Sequence, residues 1–120
     1  MKVSFDFDDT LKDSYTGEPC KPAIKRLIHH LNEGDEVYIV TSRVESDKSF
    51  KEIRDFLFDH AEPVDGIYFT RLQPKVYTLE KLGVELHYDD DKYELSLLKA
   101  KGIKGEFSVF PEDGQNEKKE

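Results

Sequence analysis

Apolar positions fall in short runs separated by amphipathic stretches, and the alternation is regular along most of the chain. Val3–Phe7 reads as a short buried strand. Val37–Val40 ("VYIV") is a continuous, β-branched-rich run of strand length, the pattern of a strand covered on both faces. Gly66–Phe69 ("GIYF"), Val84–Tyr88 and Glu106–Phe110 supply three more strands. Between them the period changes. Ala23, Ile24, Leu27, Ile28 and Leu31 give the i, i+3, i+4 spacing of a helix over Pro22–Glu33, stopped by Gly34. Phe50, Ile53, Phe56 and Leu57 do the same over Ser46–His60, and Val76, Leu79 and Leu82 over Lys75–Leu82 before Gly83. Lys92–Lys101 completes the set as a fourth helix.

Regular alternation of strand and helix predicts an α/β fold: a Rossmann-like three-layer α/β/α sandwich around a parallel five-stranded sheet. Right-handed crossovers restrict the topology, and the expected strand order is 3-2-1-4-5. The core is one domain over residues 1–110, and the polar tail 111–120 ("PEDGQNEKKE") is expected to be unstructured. With 37% hydrophobic and 12% aromatic residues, the composition supports a packed core rather than general disorder. The formal charge of −8 counts against non-specific binding to nucleic acid or anionic lipid. Cys20 is the only cysteine, which leaves no intrachain disulfide and no Cys-based zinc site. No apolar run reaches membrane-spanning length, and Asp6 interrupts the first apolar segment too early for a signal peptide. The expected compartment is the cytoplasm, with no membrane partner.

In open parallel sheets, functional groups gather at the carboxyl ends of the strands, near the point where strand order reverses. Here those ends are unusually polar. Asp6, Asp8, Asp9 and Thr10 follow the first strand; Thr41, Ser42 and Arg43 the second; Thr70 and Arg71 the third; Asp89, Asp90 and Asp91 the fourth. Lys75 opens the helix after the third strand. With order 3-2-1-4-5 the two acidic clusters are neighbours, and so many carboxylates in one small volume require a cation. Oxygen-only ligands suit Mg²⁺, while hydroxyls and an ammonium opposite them suit a phosphate group. Together they suggest phosphoryl transfer. The i, i+2 spacing of Asp6 and Asp8 turns both carboxylates toward one substrate and turns Asp9 away.

The ordered set "FDFDDTL", "VYIVTSR", a helix-opening Lys75 and "LHYDDD" resembles the haloacid dehalogenase-like (HAD) superfamily of phosphohydrolases, from about Val3 to Phe110. The resemblance implies that Asp6 is the nucleophile that becomes an aspartyl phosphate. It implies that Asp8 protonates the leaving oxygen and later activates water, that Thr41 holds a phosphoryl oxygen, and that Lys75 neutralises charge. It assigns the Mg²⁺ ligands to Asp6, the main-chain carbonyl of Asp8, and Asp90 with Asp89. "DDD" permits Asp89–Asp90 or Asp90–Asp91 as the metal pair, with Asp90 favoured as the principal ligand. Thr10, Ser42, Arg43 and Arg71 are the candidate substrate contacts. The connections over Lys12–Lys21 and Thr70–Gly83 leave no room for a cap domain, so the chain looks like a capless member with an open site.

An open site suits a phosphorylated macromolecule, or a small molecule such as a nucleotide or sugar phosphate. The acidic surface disfavours polymeric nucleic acid. Arg43 and Arg71 are candidates to grip a second anionic group, or equally to form surface ion pairs. Tyr15, in the loop after the first strand, is a candidate to stack on a base or sugar. The competing function is a non-enzymatic module: a degenerate HAD-like chain, or a phospho-accepting switch like response-regulator receivers. The receiver pattern needs an aspartate at the end of the third strand, where this chain has Thr70–Arg71.

Several residues also have plain structural readings. Asp9 and Asp91 are candidate helix starts, and Thr41–Ser42 a candidate cap for the second helix. His29, His30 and His60 read as surface or boundary residues. His87 reads as packed and hydrogen-bonded, and Cys20 as structural.

Overall fold

The computed structural model describes residues 1–108. Five strands, β1 (Lys2–Phe5), β2 (Glu36–Thr41), β3 (Gly66–Phe69), β4 (Leu86–Asp89) and β5 (Lys104–Phe107), form one sheet in the order β3-β2-β1-β4-β5. Every pairing is parallel. The helices are α1 (Lys21–Asn32), α2 (Asp47–His60), α3 (Val76–Leu82) and α4 (Lys92–Ser96), followed by a 3₁₀ turn at Lys99–Lys101. This is the α/β fold and strand order that the sequence pattern predicts. The expected tail 111–120 and the last two residues of the expected fifth strand lie outside the described residues. Among the described residues, no helix is long and apolar enough to cross a membrane.

The sheet separates two cores. Val3, Phe5, Val37, Ile39, Leu86 and Tyr88 face Ala23, Ile24 and Leu27 of α1 and Ile53, Phe56 and Leu57 of α2. On the other side Tyr38 and Val40 pack with Val76 and Leu79 of α3 and with Leu98 and Ile103. Period-2 alternation within each strand sends neighbours to opposite cores. β1 is central, so its residues have company on every side. Ser46 caps α2, its hydroxyl accepting from the Ser49 amide at 3.0 Å. Thr41 and Ser42 therefore do not serve as that cap. Gly34 and Gly83 take left-handed conformations after α1 and α3, as stop signals do.

Two further expectations are corrected. The fourth helix does not run continuously to Lys101, because after Ser96 the chain tightens into i→i−3 bonds, Leu97 to Glu94 and Leu98 to Leu95. That tightening brings Leu98 and Ile103 into the α3-side core. Asp9 starts no helix. Its backbone lies in the left-handed region, and its carboxylate accepts from the Ser14 amide at 2.9 Å and hydroxyl at 2.8 Å, folding the β1–α1 loop back on itself. Asp91 does cap a helix, accepting from the amides of Tyr93 and Glu94.

Candidate functional site

The register brings the two acidic strand ends together. Phe5 pairs with Tyr88, and the Asp6 amide donates to the Tyr88 carbonyl at 2.9 Å, so Asp6 and Asp89 stand side by side one step further on. Both point to the α3 side of the sheet, the same side as Ser4 and His87. Asp6 is 5% exposed and Asp89 fully buried. Isolated carboxylates in such places are costly, and each is satisfied. Lys75, one residue before α3, donates to Asp6 Oδ1 at 2.7 Å and to Asp89 Oδ2 at 2.8 Å. The Thr10 hydroxyl donates to Asp6 Oδ2 at 3.1 Å and lies 3.4 Å from Asp90 Oδ1.

Asp89 has further support. His87 Nε2 lies 2.7 Å from Asp89 Oδ2, Ser4 Oγ lies 2.6 Å from His87 Nδ1, and the Asp91 amide reaches Asp89 Oδ1 at 3.0 Å. An ionised Asp89 makes Nε2 the donor, so Nδ1 accepts from the Ser4 hydroxyl. His87 is thus the packed, hydrogen-bonded residue expected of it. Burial pushes its pKa down and keeps the ring neutral. A continuous buried chain of polar groups results: Ser4, His87, Asp89, Lys75, Asp6 and Thr10.

Charge in this chain is not balanced. Burial pushes the Asp6 carboxyl well above the usual range, and the neighbouring Asp89 adds to the effect. Burial raises Asp89 too, but His87 and Lys75 override it and hold that carboxyl at about 2. Asp90 is raised, chiefly by burial. Burial alone would lower the Lys75 ammonium, but Asp6 and Asp89 hold it above its ordinary value. Carboxylate oxygens of Asp6, Asp89 and Asp90 all lie within 4.8 Å of one another. Fully ionised, three carboxylates and one ammonium leave two negative charges (−3 + 1 = −2). An all-oxygen donor set with that excess fits a hard divalent cation. Asp91 is outside this group because its carboxylate caps α4.

Asp8 is placed differently from the expectation of two carboxylates turned toward one point. The chain turns at Phe7, whose carbonyl accepts from the amides of Thr10, Leu11 and Lys12. The Asp8 carboxylate meets Arg43 in a bidentate pair, Nε to Oδ2 at 2.8 Å and Nη2 to Oδ1 at 2.9 Å. Its carboxylate is not part of the Asp6, Asp89 and Asp90 group, which leaves only its main-chain carbonyl for the metal role. Arg43 also bonds Glu52 of α2, so of its two expected uses the structure brings it to the ion pair. Thr41 is buried, and its Oγ1 accepts from the Arg43 amide at 3.3 Å.

The loop after β3 is laced onto the loop after β2. The amides of Thr70, Arg71 and Leu72 donate to the carbonyls of Thr41, Arg43 and Ser42 respectively. Arg71 and Leu72 hold left-handed conformations to do so, an arrangement non-glycine residues adopt only under such constraint. Arg71 is exposed there and Ser42 half-buried. Tyr15 is 95% exposed in the β1–α1 loop. Glu52 and Lys12 are charged groups that motif reading does not single out. Glu94 accepts from the Lys75 amide at 2.9 Å and so fixes the start of α3.

No protein-family model matches the chain, and no curated protein matches it in sequence.

Proposed function

We propose that this chain is a Mg²⁺-dependent phosphatase of the HAD-like type that hydrolyses a phosphate monoester through an aspartyl phosphate on Asp6. The observation that carries the reading is the Asp6 carboxyl held between Lys75 and Thr10, beside Asp89 and Asp90, in a group with three carboxyls and one ammonium. Asp6, Asp89 and Asp90, with the Asp8 carbonyl, would hold the Mg²⁺. When bound, the ion supplies positive charge for the phosphoryl oxygens.

The chain's own residues do the rest. Asp6 is fixed by two donors and presents a carboxylate oxygen to phosphorus. As that O–P bond forms, the bond from phosphorus to the ester oxygen breaks, and Asp8, released from its pair with Arg43 and carrying a proton taken up from solvent, delivers that proton to the departing alkoxide. Asp8 then takes a proton from water, which attacks phosphorus and releases inorganic phosphate and Asp6. Lys75 and the Thr41 hydroxyl stabilise the transferring oxygens, whose charge peaks in the transition state. Ser42 and Arg71 would contact the substrate, while Thr10, buried against Asp6, would hold the nucleophile. The connections at residues 6–20 and 70–75 are short, with no inserted cap domain, which supports substrates from nucleotides and sugar phosphates to a phosphorylated macromolecular end.

The test is hydrolysis of an aryl phosphate by the purified protein with and without Mg²⁺. Turnover should require Mg²⁺, and Asp6→Asn should reduce it to background. Full activity in that variant would remove Asp6 as nucleophile. Mg²⁺ binding with no turnover on any phosphate ester would instead favour the non-enzymatic phosphate-binding module.

A further inference from the structure

Behind the acidic cluster lies a second polar layer that the phosphoryl chemistry does not use. Ser4 stands two residues before Asp6 on β1, His87 stands two before Asp89 on β4, and the two are register partners. Both are fully buried. They lie on the α3 side of the sheet, the side of Val40, Val76, Leu79 and Leu98, where an apolar pair would pack without a desolvation cost. Ser4 Oγ lies 2.6 Å from His87 Nδ1, and His87 Nε2 lies 2.7 Å from Asp89 Oδ2.

Serine, histidine and aspartate in that order are the members of a hydrolytic triad, but a fully buried Ser4 meets no substrate. The pair works inward instead. The Ser4 hydroxyl donates to Nδ1, which leaves the ring proton on Nε2 and aims it at Asp89. Asp89 Oδ2 then takes two donors, His87 Nε2 and the Lys75 ammonium at 2.8 Å, and these fill that oxygen. Among the described residues, Oδ1 takes the Asp91 amide alone, at 3.0 Å, and so keeps capacity for a cation. Lys75 by itself would hold the carboxylate loosely, because its ammonium is shared with Asp6 and rides on a flexible stem. The imidazole is planar, buried and gripped at both nitrogens.

We infer that Ser4 and His87 are positioning residues that lock the Asp89 carboxylate in the orientation in which it serves a divalent cation with Asp6 and Asp90, a role that rests on the Mg²⁺ site of the reading above. Neither touches the ion or the substrate. They act through Asp89, so their loss is felt first in the affinity for the ion.

The experiment titrates magnesium chloride into the purified protein and its variants by isothermal calorimetry, with no phosphate ester present. Loss of a residue that orients a metal ligand weakens binding by about 10–100-fold, and His87→Leu should fall in that range. His87→Gln, whose amide nitrogen can replace Nε2 as the donor to Asp89, should recover most of the affinity. Ser4→Ala keeps the imidazole but releases its far side, and should lie between wild type and His87→Leu. Circular dichroism and a thermal melt check folding; should His87→Leu fail to fold, Ser4→Ala carries the test. A purely structural pair would shift the melting temperature and leave the Mg²⁺ Kd unchanged, and that result in either variant overturns the inference. So would a His87→Gln protein that binds Mg²⁺ no better than His87→Leu. Wild type that binds Mg²⁺ but turns over no phosphate ester removes the phosphatase reading, and the affinities of the variants still decide this role. Wild type that binds no Mg²⁺ removes both.

Discussion

Two charge clusters flank the end of β1, and they differ in burial and in balance. Around Lys75, the buried Asp6 and Asp89 meet one ammonium, with the partly exposed Asp90 beside them. Around Arg43, Asp8 and Glu52 face Arg43 and Lys12, two negative charges against two positive, with side chains 19–38% exposed. The second cluster is electrically complete and partly screened, so it acts as scaffold. The first is deeply buried and incomplete, and an incomplete buried cluster is a place where a cation or a phosphoryl group has something to gain. Burial and charge imbalance together distinguish the two clusters.

The sharpest way to break the contrast is to remove one cation from each cluster. Lys75→Met strands Asp6 and Asp89 in the interior and should cost about 3–5 kcal/mol in urea unfolding. Lys12→Met removes the partly exposed partner of a partly exposed carboxylate and should cost less than about 1 kcal/mol. Similar losses at the two sites would mean the clusters are not different in kind. A smaller effect is expected from the cation itself. Millimolar Mg²⁺ should raise the melting temperature of wild type and of Glu52→Gln, but not of Asp90→Asn; saturation at 100 times Kd corresponds to about 2.7 kcal/mol.

The smallest effect concerns acid. Hydrogen bonds from Arg43 and Lys12 hold the Glu52 carboxyl at about 2, against 4.5 for an ordinary glutamate. A carboxyl depressed on folding stabilises the native state above pH 4.5, and that contribution disappears as pH falls toward 2. Between those values wild type should lose stability more steeply than Glu52→Gln. Parallel acid profiles would show that the pair contributes nothing measurable.

The sheet order was legible because each strand is a short apolar run and each intervening helix repeats at 3.6 residues. Boundaries shifted by a residue or two where a cap decided them, as Ser46 does for α2. The fourth helix misled because Leu95, Leu97 and Leu98 also satisfy a helical period, and the 3₁₀ tightening that seats Leu98 leaves no trace in spacing. Asp6, Asp89, Asp90 and Lys75 were readable as strand-end and helix-start residues, and the structure does gather them. Asp8 was half readable: its position follows from the motif, whereas its direction depends on the turn at Phe7 and on Arg43. Glu52 was not readable, since a glutamate in a charged helix looks like a solvated one. The only hint is that Ser49 and Glu52 fall at i, i+3 beside the buried Ile53 and Phe56.

The central place of β1 has a consequence for how the molecule comes together. Val3 pairs with Val37 on one side and Leu86 on the other, so its two neighbours lie 34 (37 − 3) and 83 (86 − 3) residues downstream. Until the second of these has been made, one edge of β1 stands open, and open apolar edges invite pairing with other chains. The carboxylates at its end are then unpaired and mutually repulsive, which discourages such association. Asp6, which stands in the buried cluster of the finished protein, thus also helps guard the strand while the protein is unfinished.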